Sequence, residues 1–375
     1  MAQPVHNAER LRAHVAALEL DALIVRSGRN VAYLGGMTFP GTLGRLQDFT
    51  YAPRATLIVW PASGAPVLIA SAIAAALAKE RSWIEAIRVY REYVESPYAA
   101  AACALEDLRL TAGRIGVERR ELGADHWREL QDALPRAELV DCTDMLERVR
   151  NVKTPVELER LKRALDIQDE AHLYVFSTAR PGDTERRLHA RMVGRMLEQG
   201  AESAHGMFQA STTPATYGGE GDTPIEPGVV VRTDYVCYYQ GYAANLSRMA
   251  VMGPVSSGQA QRYAELLHVH RTTIDAVLRP GVSAEEVYNF GRARLIEARS
   301  AVVAGLIGHS LGVWWHQEEP MLAPGERRKL RAGMVVCLEP ILDGFWHLQD
   351  ELLITEDDPV LLSTMFDTSR LFEMG

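Results

Sequence analysis

Paired cysteines are missing from this sequence. The four that occur, Cys103, Cys142, Cys237 and Cys337, are scattered, and no CxxC motif is present. That excludes a zinc ribbon and a dithiol redox centre, and it fits a reducing compartment. Long apolar runs are missing too. No stretch approaches the roughly 20 residues needed to span a bilayer, so no membrane partner is expected. The start, Met1-Ala2-Gln3-Pro4-Val5-His6, lacks the basic and apolar regions of a secretory signal, so a cytoplasmic location is expected. Positive charge is also in deficit. Forty Lys and Arg face forty-nine Asp and Glu, a formal charge of −9, which argues against nucleic acid as the main partner. The densest basic stretch, Arg327 to Arg331, reads as a solvated turn.

What is present is an ordinary globular composition, 47% hydrophobic, in a chain of 375 residues, long enough for two cores. Residues 1–150 alternate helix and strand signals. Apolar spacing predicts a helix over Asn7 to Leu18. Ala22 to Val25 reads as a short buried strand. Ala55 to Trp60 and Pro66 to Ile69 flank Pro61-Ala62-Ser63-Gly64 and read as a hairpin. The alanine-rich run Ala70 to Ala78 reads as a core helix. Arg114 to Glu118 and Glu138 to Asp141 read as strands around a helix, giving an α/β layer.

A boundary is expected near Asn151. Lys153-Thr154-Pro155-Val156-Glu157 carries a capping residue, a first-turn proline and the glutamate of a capping box, so a long helix starts there. Within residues 151–375, Arg180-Pro181-Gly182 recurs as Arg279-Pro280-Gly281. Each copy leads into a helix, and Ser283 with Glu286 forms a second capping box. The echo suggests a pseudo-two-fold domain.

The chemistry-bearing residues lie in the same half. They are Asp234, Asn245, Gly308-His309-Ser310-Leu311-Gly312, His316, Glu339-Pro340 and Gln349-Asp350. Their order and spacing resemble the creatinase/prolidase/aminopeptidase P family. The resemblance implies an N-terminal α/β domain, residues 1–150, followed by an α+β pita-bread catalytic domain, residues 151–375. It also implies a homodimer in which the Met37 to Pro40 stretch and the Tyr51 region are lid candidates. Two-metal members use Asp, Asp, His, Glu and Glu at five ligand positions. Here those positions read Asp234, Asn245, His309, Glu339 and Gln349. Two carboxylates have become amides, which halves the charge available to screen two cations. The position of a further family histidine falls at Tyr217.

The resemblance therefore implies a hydrolase of a C–N bond, and the substitutions predict that it works without metal or other cofactor on a small polar metabolite. His309, His316 and Glu339 are the candidate catalytic residues. Asp234, Asn245, Gln349, Tyr217 and Trp315 are the candidate substrate contacts. Trp314 and Trp315 read as alternating on a strand, with one facing the pocket. Glu318 and Glu319 read as solvent-facing. Asp350 or Glu351 would restore a carboxylate if the register slipped. Two alternatives stay open. One is a divergent Xaa-Pro dipeptidase or aminopeptidase using a single ion, such as manganese, on Asp234, His309 and Glu339. The other is a non-catalytic binding protein.

Overall fold

The computed structural model describes residues 4–38, 54–213 and 219–375. The chain divides into two compact units, Met1–Arg150 and Asn151–Gly375. The first unit runs α1 (Ala8–Ala17), β1 (Ala22–Val25), α2 (Gly28–Gly35), β2 (Leu57–Pro61), β3 (Val67–Ser71), α3 (Ala75–Arg81), β4 (Ala86–Tyr90), α4 (Pro97–Asp107), β5 (Arg114–Val117), α5 (Ala124–Ala133), β6 (Glu138–Asp141) and α6 (Thr143–Asn151). Its six strands form one sheet in the order β4-β3-β2-β1-β5-β6. The β2–β3 hairpin is antiparallel, while β1–β5 and β5–β6 are parallel. All four residues of β1 are buried, as expected for a central strand covered on both faces. The alanine-rich run is not one helix. Ala70 and Ser71 complete β3, a short 3-10 turn follows, and α3 begins only at Ala75. Alanine alone carries too weak a preference to overrule pairing of β3 with β2 and β4.

The second unit holds α7 (Pro155–Thr178), α8 (Glu185–Glu198), β7 (Ser203–Ala210), β8 (Val230–Tyr239), β9 (Tyr242–Leu246), β10 (Met249–Met252), α9 (Ser257–Val277) and α10 (Ala284–Glu297). It then continues with β11 (Gly308–Ser310), β12 (Glu318–Met321), β13 (Val335–Leu338), β14 (Ile341–Leu342), β15 (Trp346–His347), β16 (Asp350–Leu353), β17 (Val360–Leu361) and β18 (Phe372–Met374). One sheet runs β18-β10-β8-β7, with β9 also on β8; a second runs β12-β11-β13-β16-β17. Bridges Tyr242↔Val313 and Ser247↔Gln349 join them. The echo in the sequence corresponds to two helix pairs. Helices α7 and α8 bury Leu165, Phe176 and Met192 with Phe208 and Tyr235 of the first sheet. Helices α9 and α10 bury Leu266, Val287 and Leu295 with Val336 and Leu352 of the second. In both pairs the Arg-Pro-Gly turn has its glycine at positive φ, 89° at Gly182 and 88° at Gly281. A side chain there would be strained, so the turn chemistry itself recurs.

Helix α7 starts as its sequence dictates. Thr154 accepts from the Glu157 backbone, and the Glu157 side chain accepts in return from Thr154 N, 2.8 Å. Glu318 corrects the solvent-facing expectation. Its side chain and that of Lys153 are fully buried, 3.5 Å apart, so a distant lysine replaces water as its partner. Glu319 is half-buried and pairs with Arg328 at 2.9 Å. Beside this buried pair, burial raises the Glu157 carboxyl from 4.5 to about 7, against the pull of Lys153. Between those values the folded chain holds a proton that the unfolded chain has released, so stability falls as pH rises through that window. Glu157→Gln keeps the capping box but removes the charge. Its melting temperature should equal wild type near pH 4 and exceed it above pH 7, a gain of up to roughly 3 kcal/mol. A gain independent of pH would contradict this.

Candidate active site

Three of the candidate residues lie on strands and two directly flank strands. Asp234 lies on β8 and Asn245 on β9, with Asn245 opposite Val236 in the antiparallel register. His309 is the middle residue of β11, opposite Cys337 of β13. Glu339 follows β13, and Gln349 immediately precedes β16. Gly308 makes the β11–β13 approach possible. A Cβ there would lie inside the Cys337 carbonyl oxygen and 2.7 Å from Leu322 Cδ1. Gly308→Ala should therefore cost about 1–3 kcal/mol or more, read as a lowered urea midpoint. An unchanged midpoint would show that β11 can give way.

A cavity of about 660 Å³ is lined by Asp234, Asn245, His316 and Glu339, together with His205 and Glu220. Gln349 is buried, does not line the cavity, and donates to Asn245. Trp315 lies outside the lining; it is 43% exposed and packs on His316, ring centroids 4.7 Å apart. The two tryptophans do not alternate on a strand, because Trp314 has φ of +72° and breaks the extended run. Tyr217 lies outside the described residues, as do Phe39, Pro40 and Tyr51; Met37 is fully buried in the first unit. Glu220 lines the cavity, whereas Asp222 pairs with Arg186 at the surface.

The two amides form a directed chain. Asn245 Nδ2 donates to Asp234 Oδ1 at 3.1 Å and to the Tyr235 carbonyl at 3.0 Å. The Tyr235 carbonyl can only accept, so the atom facing it must be the amide nitrogen. Asn245 Oδ1 consequently points the other way and accepts from Gln349 Nε2 at 2.9 Å. Gln349 Nε2 also lies 3.0 Å from Cys337 Sγ.

Glu339 stands between two imidazoles. His309 Nε2 is 3.6 Å from Oε1, and His347 Nε2 is 3.7 Å from Oε2. His347 is a site residue that motif reading missed. Its Nδ1 is 2.8 Å from Ser247 Oγ. The available signal was its place two residues before Gln349, which puts both on one face of an extended segment. Glu351 stays in register opposite Cys337. It accepts from the Asn245 backbone at 2.7 Å, so it does not replace the missing carboxylate in the cavity.

Burial sets the protonation states. It raises the Asp234 carboxyl, and neighbouring Glu339 adds to this while His347 opposes it. It also raises Glu339, opposed by His309. It lowers His347 to about 4 against the pull of Asp234, and His316 to about 3 with help from His309 and His205. At neutral pH the His347 and His316 rings are therefore uncharged, each with one N–H and one acceptor nitrogen.

The sequence pattern of metallopeptidase family M24 matches residues 159–362, and that of the creatinase/prolidase N-terminal domain matches residues 8–152. The chain belongs to metallopeptidase family M24. As an M24 member it is a hydrolase acting on a C–N bond, built as an α/β domain followed by the pita-bread domain. It is similar to the "Probable dipeptidase PepE" of Mycobacterium tuberculosis, 28% identical, covering 93% of this chain and 91% of that one. The Xaa-Pro dipeptidase of Lactobacillus helveticus is 25% identical, covering 90% and 94%. Among solved structures, dipeptidase PepE from Mycobacterium ulcerans superposes with a TM-score of 0.78 at 28% identity, over 98% of this chain and 97% of that one. X-Pro aminopeptidase from Thermotoga maritima, at 20% identity, shares the fold, with a TM-score of 0.81 over 98% and 99%. No helix among the described residues is long and apolar enough to cross a membrane.

The M24 name implies metal, and the donors here do not fit a two-ion centre. Asn245 presents N–H to Asp234, and its oxygen is already taken by Gln349. Bridging carboxylates that screen two cations are what such a centre requires.

Proposed function

We propose that this M24 hydrolase cleaves an amide-type C–N bond of a small polar substrate without a metal ion, with Glu339, His309 and His316 as the working groups. The observation that carries the reading is the Gln349–Asn245–Asp234 chain, which ties three of the five ligand positions together with hydrogen bonds. Glu339 lines the cavity and accepts a proton from the attacking water. The water oxygen bonds to the carbon of the scissile bond, the C–N bond breaks, and the proton passes to the leaving nitrogen. His309 orients Glu339 from behind, and His316 offers a polar contact to the oxygen that gains charge. Asp234 and Asn245 hold the substrate.

A second reading is favoured by the relatives, whose names include dipeptidase and Xaa-Pro dipeptidase. It is a dipeptidase using one ion on Asp234, His309 and Glu339. Turnover of small amide, amidino and guanidino substrates and of Xaa-Pro dipeptides, measured in chelator and with added manganese, separates the two. The metal-free reading expects turnover that survives chelation. Xaa-Pro cleavage that appears only with manganese would replace it with the second.

A further inference from the structure

We infer that Asp343 is a positioning residue: it fastens the link between α10 and β11, which forms one wall of the cavity, and so sets how large a substrate the site admits. The consequence for substrate rests on the hydrolase reading above; the clamp itself does not. The link is residues 298–307, and no helix or strand includes any of them. Ala304, Gly305 and Leu306 line the cavity that also holds Asp234, His316 and Glu339. A wall of this kind has no strand ladder to place it, so its position depends on the few bonds that reach it.

Asp343 sits with Gly344 in the β14–β15 turn, at φ of 57° and 74°. Asp-Gly is a pair that tight hairpins favour, and the turn alone would account for an Asp, Asn or Gly at this position. The turn does not account for where the side chain goes. Oδ1 accepts from Ala301 N at 2.9 Å. Oδ2 accepts from Arg262 Nε at 2.9 Å and from Nη2 at 2.5 Å. The Asp343 backbone N–H donates to Ser300 Oγ at 2.9 Å, and Ser300 Oγ donates in turn to the Val302 carbonyl at 2.5 Å. Arg262 Nη1 donates to the Ala298 carbonyl at 2.9 Å, at the C-terminal end of α10, where a cation is favoured. One carboxylate thus ties the start of the link to the turn and, through Arg262, to α9. Turn and link also touch, since a Cβ on Gly344 would lie 3.7 Å from Val302 Cγ2. Ile341, just before the turn, lines the cavity as well, so the clamp joins two stretches of its wall. At its far end the link meets a working group, because Glu339 N donates to the Ile307 carbonyl at 2.8 Å.

Three variants of the full chain test the clamp. Asp343→Gly removes the carboxylate and suits the positive φ, so the turn survives. Asp343→Asn keeps an acceptor for Ala301 N but loses the charge that pairs with Arg262. Arg262→Gln removes the other side of the pair. Hydrogen exchange read by mass spectrometry should show residues 298–307 exchanging about tenfold or more faster in Asp343→Gly and Arg262→Gln, with β14–β15 unchanged. Asp343→Asn should fall between Asp343→Gly and wild type. Equal protection of the link in wild type and Asp343→Gly overturns the inference, and so does a loss of protection spread over the whole second unit. Kinetics on the amide, amidino, guanidino and Xaa-Pro substrates read the wall. For a substrate that wild type turns over, Asp343→Gly should raise KM with kcat within about threefold, and should narrow the preference over a homologue one methylene longer by about tenfold. A lower kcat with KM and preference unchanged overturns the claim about substrate size. If wild type turns over none of these substrates, the hydrolase reading fails, and hydrogen exchange alone upholds or overturns the clamp.

Discussion

If the native site takes up no metal, as proposed, installing two carboxylates, in Asn245→Asp with Gln349→Glu, is expected to make the chain take up manganese. In the native site the uncharged amides hydrogen-bond to each other and to Asp234. The double variant breaks that chain and crowds new carboxylates against Asp234, in surroundings that already raise its carboxyl by burial. In chelator the variant should lose about 3–5 kcal/mol, the cost of uncompensated buried charge. The loss should shrink toward acid pH, where the new groups stay protonated. Manganese should recover the stability, because bound cations supply the missing counter-charge. Unfolding midpoints with and without manganese read this out. A variant as stable as wild type in chelator, and indifferent to manganese, would show that the amides are not what keeps cations out.

Glu339→Gln should lower kcat/KM by about 100-fold to 10,000-fold, the range for losing a positioned acid–base group. Its stability should hold or rise, since the variant removes a carboxyl that burial disfavours when charged. His309→Ala should cost activity too, but it also leaves a hole beside β11, so its stability should fall. Kinetics and urea midpoints on the two variants separate chemistry from packing. Glu339→Gln with native turnover would remove Glu339 from the mechanism.

Much of the scaffold was legible because its signals are local. The Thr154–Glu157 and Ser283–Glu286 capping boxes, the paired Arg-Pro-Gly turns and the β2–β3 hairpin each lie within a few residues. The misread features depend on distant partners. Glu318 looked solvent-facing because Lys153, 165 residues earlier, cannot be paired with it from sequence. His347 fell outside every motif, and its role beside Glu339 emerges only when the β14–β15 hairpin brings it to Ser247 and Glu339. Trp314 and Trp315 read as a strand because aromatic residues favour strands, yet the backbone turns at Trp314. The amide substitutions were visible at once. Their arrangement, with Asn245 between Asp234 and Gln349, required the β8–β9 register.

The most direct test of the metal-free account is the metal content of the protein, purified without chelator or added metal and then titrated with manganese and zinc. The account predicts well under one ion per chain and no stoichiometric uptake. One or two tightly held ions per chain would contradict it, and would place Xaa-Pro dipeptides first among the substrates to try.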